Sequence, residues 1–192
     1  MTEDSKSATA PVPLQAPPRS LVLVGMMGAG KTAVGRRLAA AFDLPFIDAD
    51  EEIEAAAGCS ISTIFGVLGE AAFRDGERRV IGRLLKQPVC VLATGGGAFM
   101  DERIRTSIKA SGISIWLKAD LETLWQRVRR RGHRPLLNTP NPKETLETLM
   151  QTRYPVYAEA DITVESSEGP LDETVDRVVG QLKSFLATDT RS

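Results

Sequence analysis

The sequence has few cysteines, no excess of charge of either sign and no long hydrophobic run, and each shortage excludes a class of function. Its two cysteines, Cys59 and Cys90, are far apart and match no metal-ligand spacing, so we expect both to be reduced in a cytoplasmic protein. With 24 basic and 25 acidic residues the net charge is −1, which provides no general attraction to nucleic acid or to an anionic membrane. No apolar stretch approaches about 20 residues, so we expect no membrane span.

The length of the chain and the composition of its ends predict one folded domain between two tails. A chain of 192 residues suits a single domain, which we place at residues 20–187. Residues 1–19 are rich in proline, alanine and serine, so we expect a disordered tail rather than a secretory signal. Residues 188–192 form a short C-terminal tail, and we expect the chain to act as a monomer.

Five short apolar runs alternate with helical patterns, which predicts an α/β fold with a five-stranded parallel sheet covered by helices on both faces. Ligands of such sheets bind beyond the carboxyl ends of the strands, so the loops after the runs should form the site. The predicted strands are 21–24, 44–48, 89–93, 113–117 and 161–165. The predicted helices are 34–42, one beginning after Ser60, 70–86, 101–110, 121–130, 143–159 and one at the C-terminus.

The first strand is followed by "GMMGAGKT", residues 25–32, which fits the phosphate-binding loop pattern G-x-x-x-x-G-K-T. Glycines let backbone N–H groups converge on phosphate oxygens, and the start of the next helix adds a favourable dipole. The charge of Lys31 reaches the β- and γ-phosphates, and Thr32 offers its hydroxyl to Mg²⁺. We therefore expect ATP to contact Gly28, Ala29, Gly30, Lys31, Thr32 and Ala33.

Two acids, Asp48 and Asp50, end the second predicted strand. In extended chain residues i and i+2 point to the same side, so both carboxylates could face one cleft. One could hold Mg²⁺ through water, and the other could accept a proton from an attacking hydroxyl. The alternative is that an aspartate caps the helix that begins near Glu51.

Arg74 and Glu77 are neighbours on a predicted helix, at positions i and i+3. If that face is partly buried, Glu77 can hold the guanidinium ready for a planar anion, because the arginine fork binds two carboxylate oxygens. The alternative is an exposed ion pair of little energetic consequence, and the spacing alone favours this alternative.

Three consecutive glycines, Gly95, Gly96 and Gly97, follow the third strand. At the carboxyl end of a parallel strand they would let a ligand lie against bare backbone. The alternative is a flexible connection.

The segment from Arg127 to Arg134 contains five arginines and leads into a loop, 129–142, that is broken by glycine and prolines. A lid that brings arginine onto the phosphates fits better than a nucleic-acid site, because net charge is slightly negative and no aromatic residues are interleaved. We expect the one histidine, His133, to be exposed and to have no catalytic role. Farther on, Arg153 precedes Pro155, which we expect in a first turn or at a kink that re-aims the arginine; the alternative is a surface arginine.

Taken together, these residues resemble the shikimate kinase family over most of the chain, from about residue 21 to about residue 163. The segments that carry the resemblance are "GMMGAGKT", "FIDADEEIE", "SISTIFGVLGEAAFRDGE", "TGGGA", "RPLL" and "RYPVYAEA", in that order. The phosphate-binding loop is widespread, but its combination with D-x-D, F-R-x-x-E, G-G-G and R-x-P-x-Y is far more specific. The resemblance implies a fold like that of the nucleoside monophosphate kinases and transfer of the ATP γ-phosphate, with Mg²⁺, to the 3-hydroxyl of shikimate.

The resemblance also implies a role for each matching residue. Asp50 would bind the shikimate hydroxyls and receive the proton, Asp48 would help to hold Mg²⁺, and Gly96 would contact the substrate through its backbone. Arg74 and Arg153 would grip the carboxylate. Arg134 would be the lid arginine on the phosphates.

The sequence departs from the family in one place, because many relatives carry an arginine near the adenine after the last strand. The segment "VESSEGP", residues 164–170, offers none, so backbone contacts or Arg127 and Arg130 would have to hold the base. A gluconate-type kinase is the main alternative function, since a sugar acid would also need arginines. A GTP switch is not supported, because the sequence has no Asn-Lys-x-Asp motif to read the base.

Overall fold

The computed structural model describes residues 14–130, 137–167 and 169–189. Its five strands form one parallel sheet in the order β2-β3-β1-β4-β5, which confirms the predicted α/β fold. The second strand begins two residues later than predicted, after Pro45, whose carbonyl accepts from the Val91 N–H but which has no N–H to donate. The strands are β1 (Ser20–Val24), β2 (Phe46–Asp48), β3 (Val91–Ala93), β4 (Gly112–Lys118) and β5 (Ile162–Glu165).

Helices fill the connections between the strands, close to the positions that the sequence predicts. Among the described helices no single one is long and apolar enough to cross a membrane; two of them, Ala49–Ala57 and Ile61–Leu84, meet that test only as a pair bent by 85°. The α-helices are α1 (Lys31–Phe42), α2 (Ala49–Ala57), α3 (Ile61–Leu84), α4 (Glu102–Ser111), α5 (Leu121–Arg129), α6 (Pro142–Tyr157) and α7 (Leu171–Thr188), and Ala98–Met100 form a 3-10 helix.

The start of several helices is fixed by an aspartate or serine whose side chain accepts a backbone N–H of the first turn. Asp48 does this for α2 and Ser60 for α3. Inside α3 the backbone of Gly69 is not helical, with φ 81° and ψ 171°. This glycine separates α3 into two pieces, which agrees with the two helices that the sequence predicts there.

The core lies between the central strands and the helices packed on them. All five residues of β1 are buried, as expected for a strand that has neighbours on both sides and helices on its faces. Helix α1 approaches the sheet closely at Gly35, where an added Cβ would lie 2.5 Å from the ring of Phe46. This close contact fixes the direction in which α1 leaves the phosphate-binding loop.

The described residues at the two ends of the chain contact the domain. The Leu14 N–H donates to the Ala41 carbonyl at 2.9 Å, and the Leu14 side chain packs against the core. Arg19 forms a buried ion pair with Asp189, just after α7. Leu14 and Arg19, which lie in the segment that the sequence assigns to a tail, therefore contact the folded domain.

Candidate active site

The phosphate-binding loop lies between β1 and α1, the context that the motif requires. Gly25, Gly28 and Gly30 have φ values of 137°, 82° and 96°, a region in which other residues are strained. Gly30 precedes α1 without any side-chain cap, so the N–H groups of the first turn face the loop rather than a capping oxygen. Lys31 curls back over the loop and donates to the carbonyls of Gly25, at 2.8 Å, and Met26, at 3.0 Å.

A cavity of about 360 Å³ opens beside this loop, at the carboxyl ends of β2 and β3. Asp48 and Asp50 both line this cavity, as predicted, but not because they lie on one side of the same strand. β2 ends at Asp48, and Asp50 lies in the first turn of α2 instead of continuing the strand. Asp48 caps α2 by accepting the Asp50 N–H at 3.1 Å, so the capping alternative is confirmed for Asp48. The cavity is lined by residues that include Lys31, Thr32, Asp48, Asp50, Gly95 and Gly96.

The oxygen atoms of Thr32 and Asp48 form a pair suited to a hard cation. The Thr32 hydroxyl donates to the Asp48 Oδ2 atom at 3.3 Å, at the edge of the same cavity. Mg²⁺ in phosphate-transfer sites is commonly held by one or two protein oxygens together with phosphates and water. Within the described residues no cluster of three or more His, Cys, Asp or Glu could hold a metal alone. The donor set therefore fits Mg²⁺ bound jointly with a nucleotide.

The ion pair between Arg74 and Glu77 is mostly buried, so the exposed-pair alternative is wrong. Glu77 is only 1% exposed, the Arg74 side chain is 26% exposed, and the two side chains meet at 2.7 Å. Burial raises the pKa of Glu77, although the hydrogen bond from Arg74 opposes that shift. Glu70 also contacts the Arg74 guanidinium, at 3.3 Å. Two acids thus fix the direction of Arg74.

Each of the three glycines lies against a different functional side chain. An ideal Cβ at Gly95 would lie 2.8 Å from Asp50 Oδ1, one at Gly97 would lie 2.7 Å from an Arg74 nitrogen, and one at Gly96 would lie 3.3 Å from an Arg153 nitrogen. None of the three has a positive φ, so close approach rather than backbone strain requires glycine here. These contacts favour the interpretation of a binding surface over that of a flexible connection.

Arg153 reaches this surface from α6 and is buried, so the surface-arginine alternative is wrong. One of its guanidinium nitrogens donates to the Gly96 carbonyl at 3.1 Å. Pro155 lies in the last turn of α6 rather than in a first turn. Tyr157, the last residue of the R-x-P-x-Y pattern, to which the sequence analysis assigned no role, donates its hydroxyl to the same carbonyl. Tyr157 is four residues after Arg153, so both side chains lie on one face of the helix. This spacing in the sequence could have indicated that the two act at the same site.

A second cavity, of about 330 Å³, lies on the other side of the phosphate-binding loop and shares Gly28 and Gly30 with the first. Arg127 and Arg130 both line it, together with Ser166 and Ser167 of the segment that follows β5. Arg127 donates to Ser166 Oγ at 2.9 Å and to the Gly28 carbonyl at 3.3 Å, and it also donates to the Ser167 carbonyl. Sequence reasoning missed the serines, because an ordinary polar loop gives no signal of its own.

The proposed lid arginine, Arg134, lies outside the described residues, as do His133 and the rest of 131–136. The described part of the lid region resumes at Leu137, which is buried in the core. The role of Arg134 stays a prediction.

Comparison with known proteins agrees with this geometry. The family model described as shikimate kinase matches residues 27–183. A shikimate kinase of Paramagnetospirillum magneticum is 58% identical over 168 residues, which cover 88% of this chain and 86% of that protein.

Solved structures give the same result. The shikimate kinase of Acinetobacter baumannii, in complex with shikimate, superposes with a TM-score of 0.83 at 39% identity and covers 86% of this chain and 93% of that one. A gluconokinase of Sinorhizobium meliloti has a TM-score of 0.61 at 20% identity, over 91% of this chain and all of that one, which indicates a shared fold alone. On the match over residues 27–183 and the identity to its relatives, the chain belongs to the shikimate kinase family.

Proposed function

We propose that this chain transfers the γ-phosphate of ATP to the 3-hydroxyl of shikimate, a step on the route to chorismate. The observation that carries the proposal is the triple glycine, which brings Asp50, Arg74 and Arg153 together beside the phosphate-binding loop. A small cyclic hydroxy acid offers one carboxylate and several hydroxyls. The two arginines and the one acid match that distribution of charge and hydrogen-bonding groups.

On the substrate side, we assign the carboxylate to Arg74 and Arg153 and the hydroxyls to Asp50. Glu77 and Glu70 hold Arg74, and the Gly96 carbonyl holds Arg153, so both forks are directed before substrate arrives. With the carboxylate held, Asp50 fixes one hydroxyl in line with the phosphate and accepts its proton as the new bond forms. Positioning of this kind provides most of the catalysis in phosphoryl transfer.

On the nucleotide side, the phosphate-binding loop and Lys31 hold the phosphates, and the second cavity, with Arg127 and Arg130, holds the base. Thr32 and Asp48 would hold Mg²⁺, which when bound neutralises charge on the phosphate oxygens. Arg134 is assigned to the transferring phosphate from the lid. The two cavities share Gly28 and Gly30, which supports a nucleotide that runs across the loop from one cavity to the other.

A coupled assay of ADP release tests the function directly, with shikimate compared against gluconate as the acceptor. We expect turnover with shikimate only. Turnover with gluconate and none with shikimate would replace this proposal by the gluconate-type alternative.

Substitution of the two arginines tests the site. Arg74→Lys and Arg153→Lys should each weaken shikimate binding by about tenfold or more, because an ammonium cannot reproduce the bidentate fork. Arg78→Lys is the matched control, since Arg78 also lies on α3 and pairs with Asp75 and Asp101. The arginines that approach the triple glycine are instead Arg74 and Arg153. Wild-type shikimate affinity in both site variants, measured by titration alongside ATP, would place the carboxylate elsewhere.

We also propose that the chain works as a monomer in the cytoplasm. Both cysteines are free, and Cys90 is buried with its sulfur 3.7 Å from Ser20 Oγ, as suits a reducing compartment. Light scattering of the purified chain measures its oligomeric state, and a dimer would refute the monomer.

A further inference from the structure

Tyr157 is a buried tyrosine at the end of α6 that the substrate and nucleotide contacts proposed above do not use. Its ring packs among Trp116, Tyr154 and Phe99, with centroid separations of 5.9, 6.2 and 6.4 Å. Its hydroxyl leaves this aromatic cluster and donates to the carbonyl of Gly96, the middle residue of the triple glycine. A tyrosine with only a structural role could donate its hydroxyl to any nearby carbonyl. The Tyr157 hydroxyl instead donates to a carbonyl of the triple glycine, the surface proposed to bind the substrate.

The Gly96 carbonyl receives two donors from one helix, the Tyr157 hydroxyl and an Arg153 nitrogen at 3.1 Å. A carbonyl oxygen has two lone pairs, so these two donors saturate it. The peptide between Gly96 and Gly97 is trans and planar, so its C=O and N–H point in opposite directions. With the C=O fixed toward α6, the Gly97 N–H is fixed on the side away from α6.

Such fixing matters because glycine peptides are the least restrained by their own side chains. An unrestrained Gly96–Gly97 peptide could rotate, which would misdirect the N–H and release Arg153 from its contact. The Arg74 guanidinium lies on Gly97, within 2.7 Å of an ideal Cβ, so this peptide is surrounded by the two arginines assigned to the carboxylate. The Gly97 N–H thus belongs to a peptide whose carbonyl contacts Arg153 and whose second glycine lies against Arg74.

We propose that Tyr157 is a positioning residue, which fixes the Gly96–Gly97 peptide and thereby the backbone donor and the arginine that receive the substrate carboxylate. This inference rests on the proposed function. Burial also raises the pKa of Tyr157, so its hydroxyl keeps the proton that it donates.

The chain supplies a matched control in Tyr154, on the same helix and in the same aromatic cluster. Its hydroxyl also donates to a backbone carbonyl, that of Ala119, and burial raises its pKa to about 12. Ala119 lies after β4 and lines neither of the two cavities at the phosphate-binding loop. Tyr154→Phe and Tyr157→Phe thus remove the same atom from two members of one aromatic cluster, and only one removal touches the triple glycine.

The test is steady-state kinetics of both variants with shikimate and with ATP. Tyr157→Phe should raise the KM for shikimate about threefold or more, the effect of one lost hydrogen bond, with the KM for ATP unchanged. Tyr154→Phe should leave both values unchanged, while thermal melts should show similar small losses in the two variants. An unchanged shikimate KM in Tyr157→Phe, or an equal rise in Tyr154→Phe, would overturn the inference.

The outcomes separate this inference from the function on which it rests. If the wild-type chain phosphorylates shikimate and Tyr157→Phe matches it, only the positioning role fails. If the wild-type chain does not phosphorylate shikimate, the function fails and the inference falls with it. Should Tyr157→Phe not fold, 4-fluorophenylalanine at position 157 keeps the size of the para group without its donor, and the same change in shikimate KM is expected.

Discussion

At the scale of single residues, Glu77 shows how burial and an ion-pair partner shift the pKa of a carboxyl group in opposite directions. Burial disfavours its charged form and raises its pKa above the ordinary 4.5, the hydrogen bond from Arg74 lowers it, and the negative charge of Asp50 raises it again. The net shift is upward. Glu77 therefore takes up a proton at a higher pH than an exposed glutamate does, and protonation removes its charge from Arg74.

We predict that the KM for shikimate rises as the pH falls toward this raised pKa, because a protonated Glu77 no longer holds the guanidinium of Arg74. Glu77→Gln should show a raised KM for shikimate at all pH values, and its KM should no longer rise as the pH falls (the acid limb of the profile). The control is Glu70→Gln, since Glu70 also contacts Arg74 but is largely exposed. The measurement is shikimate KM against pH for the three proteins, and an acid limb that persists in Glu77→Gln would assign it to another group.

The raised pKa of Glu77 also determines the direction in which the stability of the fold changes with pH. The folded state binds the proton of Glu77 more tightly than the unfolded state does, so this group favours folding most below the ordinary value of 4.5. That contribution is lost as the pH rises through the raised value.

The sequence predicts the chemistry of these residues better than their placement. Asp48 and Asp50 were expected to face one cleft because they share one side of a strand, whereas Asp50 reaches the cavity from the first turn of α2. The spacing of Arg74 and Glu77 could not show that the pair is buried, because burial depends on what packs over α3. Resemblance to a family supplied what local spacing could not.

At the scale of elements, Gly69 divides α3 and sets the angle between its two pieces. Its φ of 81° with ψ of 171° belongs to a region that only glycine occupies readily. The second piece carries Arg74 and Glu77, so the direction of that piece is part of the site. The sequence predicts two helices here but gives no signal for the angle between them.

We predict that Gly69→Ala destabilises the protein by roughly 1–3 kcal/mol, because alanine is strained in that backbone conformation. Gly66→Ala is the control: its φ is ordinary, a Cβ there would meet nothing within 4 Å, and alanine should stabilise that helix by about 0.5–1 kcal/mol. Urea denaturation of both variants measures the difference. Equal free energies of unfolding would show that residue 69 adopts another conformation in solution.

At the scale of the whole molecule, the ion pair between Arg19 and Asp189 joins the two ends of the folded chain. The two side chains are 13% and 5% exposed, so the charges are largely removed from water. Arg19 also donates to the Gly112 carbonyl, at the start of β4. The pair therefore lies at the amino ends of the central strands, opposite the cavities.

We predict that Asp189→Ala lowers the stability by about 3–5 kcal/mol, since it removes the carboxylate that pairs with the buried Arg19 guanidinium. For a domain of this size that corresponds to a fall in Tm of roughly 6–20 °C. Asp172→Ala, which breaks the exposed pair of Arg37 with Asp172 between α1 and α7, is the control and should have little effect. Scanning calorimetry measures both, and similar Tm values in the two variants would contradict the prediction.

The sequence predicts the sheet and its helices because apolar runs and helical periodicity are local signals. It does not predict this joining of the ends, since Arg19 and Asp189 are separated by 170 positions and neither belongs to a motif. Only the three-dimensional packing of α7 against α1 and β5 brings them together.

The joined ends have a consequence for protein engineering. A peptide linker from Asp189 to Arg19 would have to span only the combined reach of the two paired side chains, so a circular permutant could close the chain there. New ends could then be opened at Gly58, in the connection between α2 and α3, where an added Cβ meets nothing within 4 Å. In such a rearranged chain, the halves of the molecule would exchange their order along the gene while the cavities stay at the carboxyl ends of the same strands.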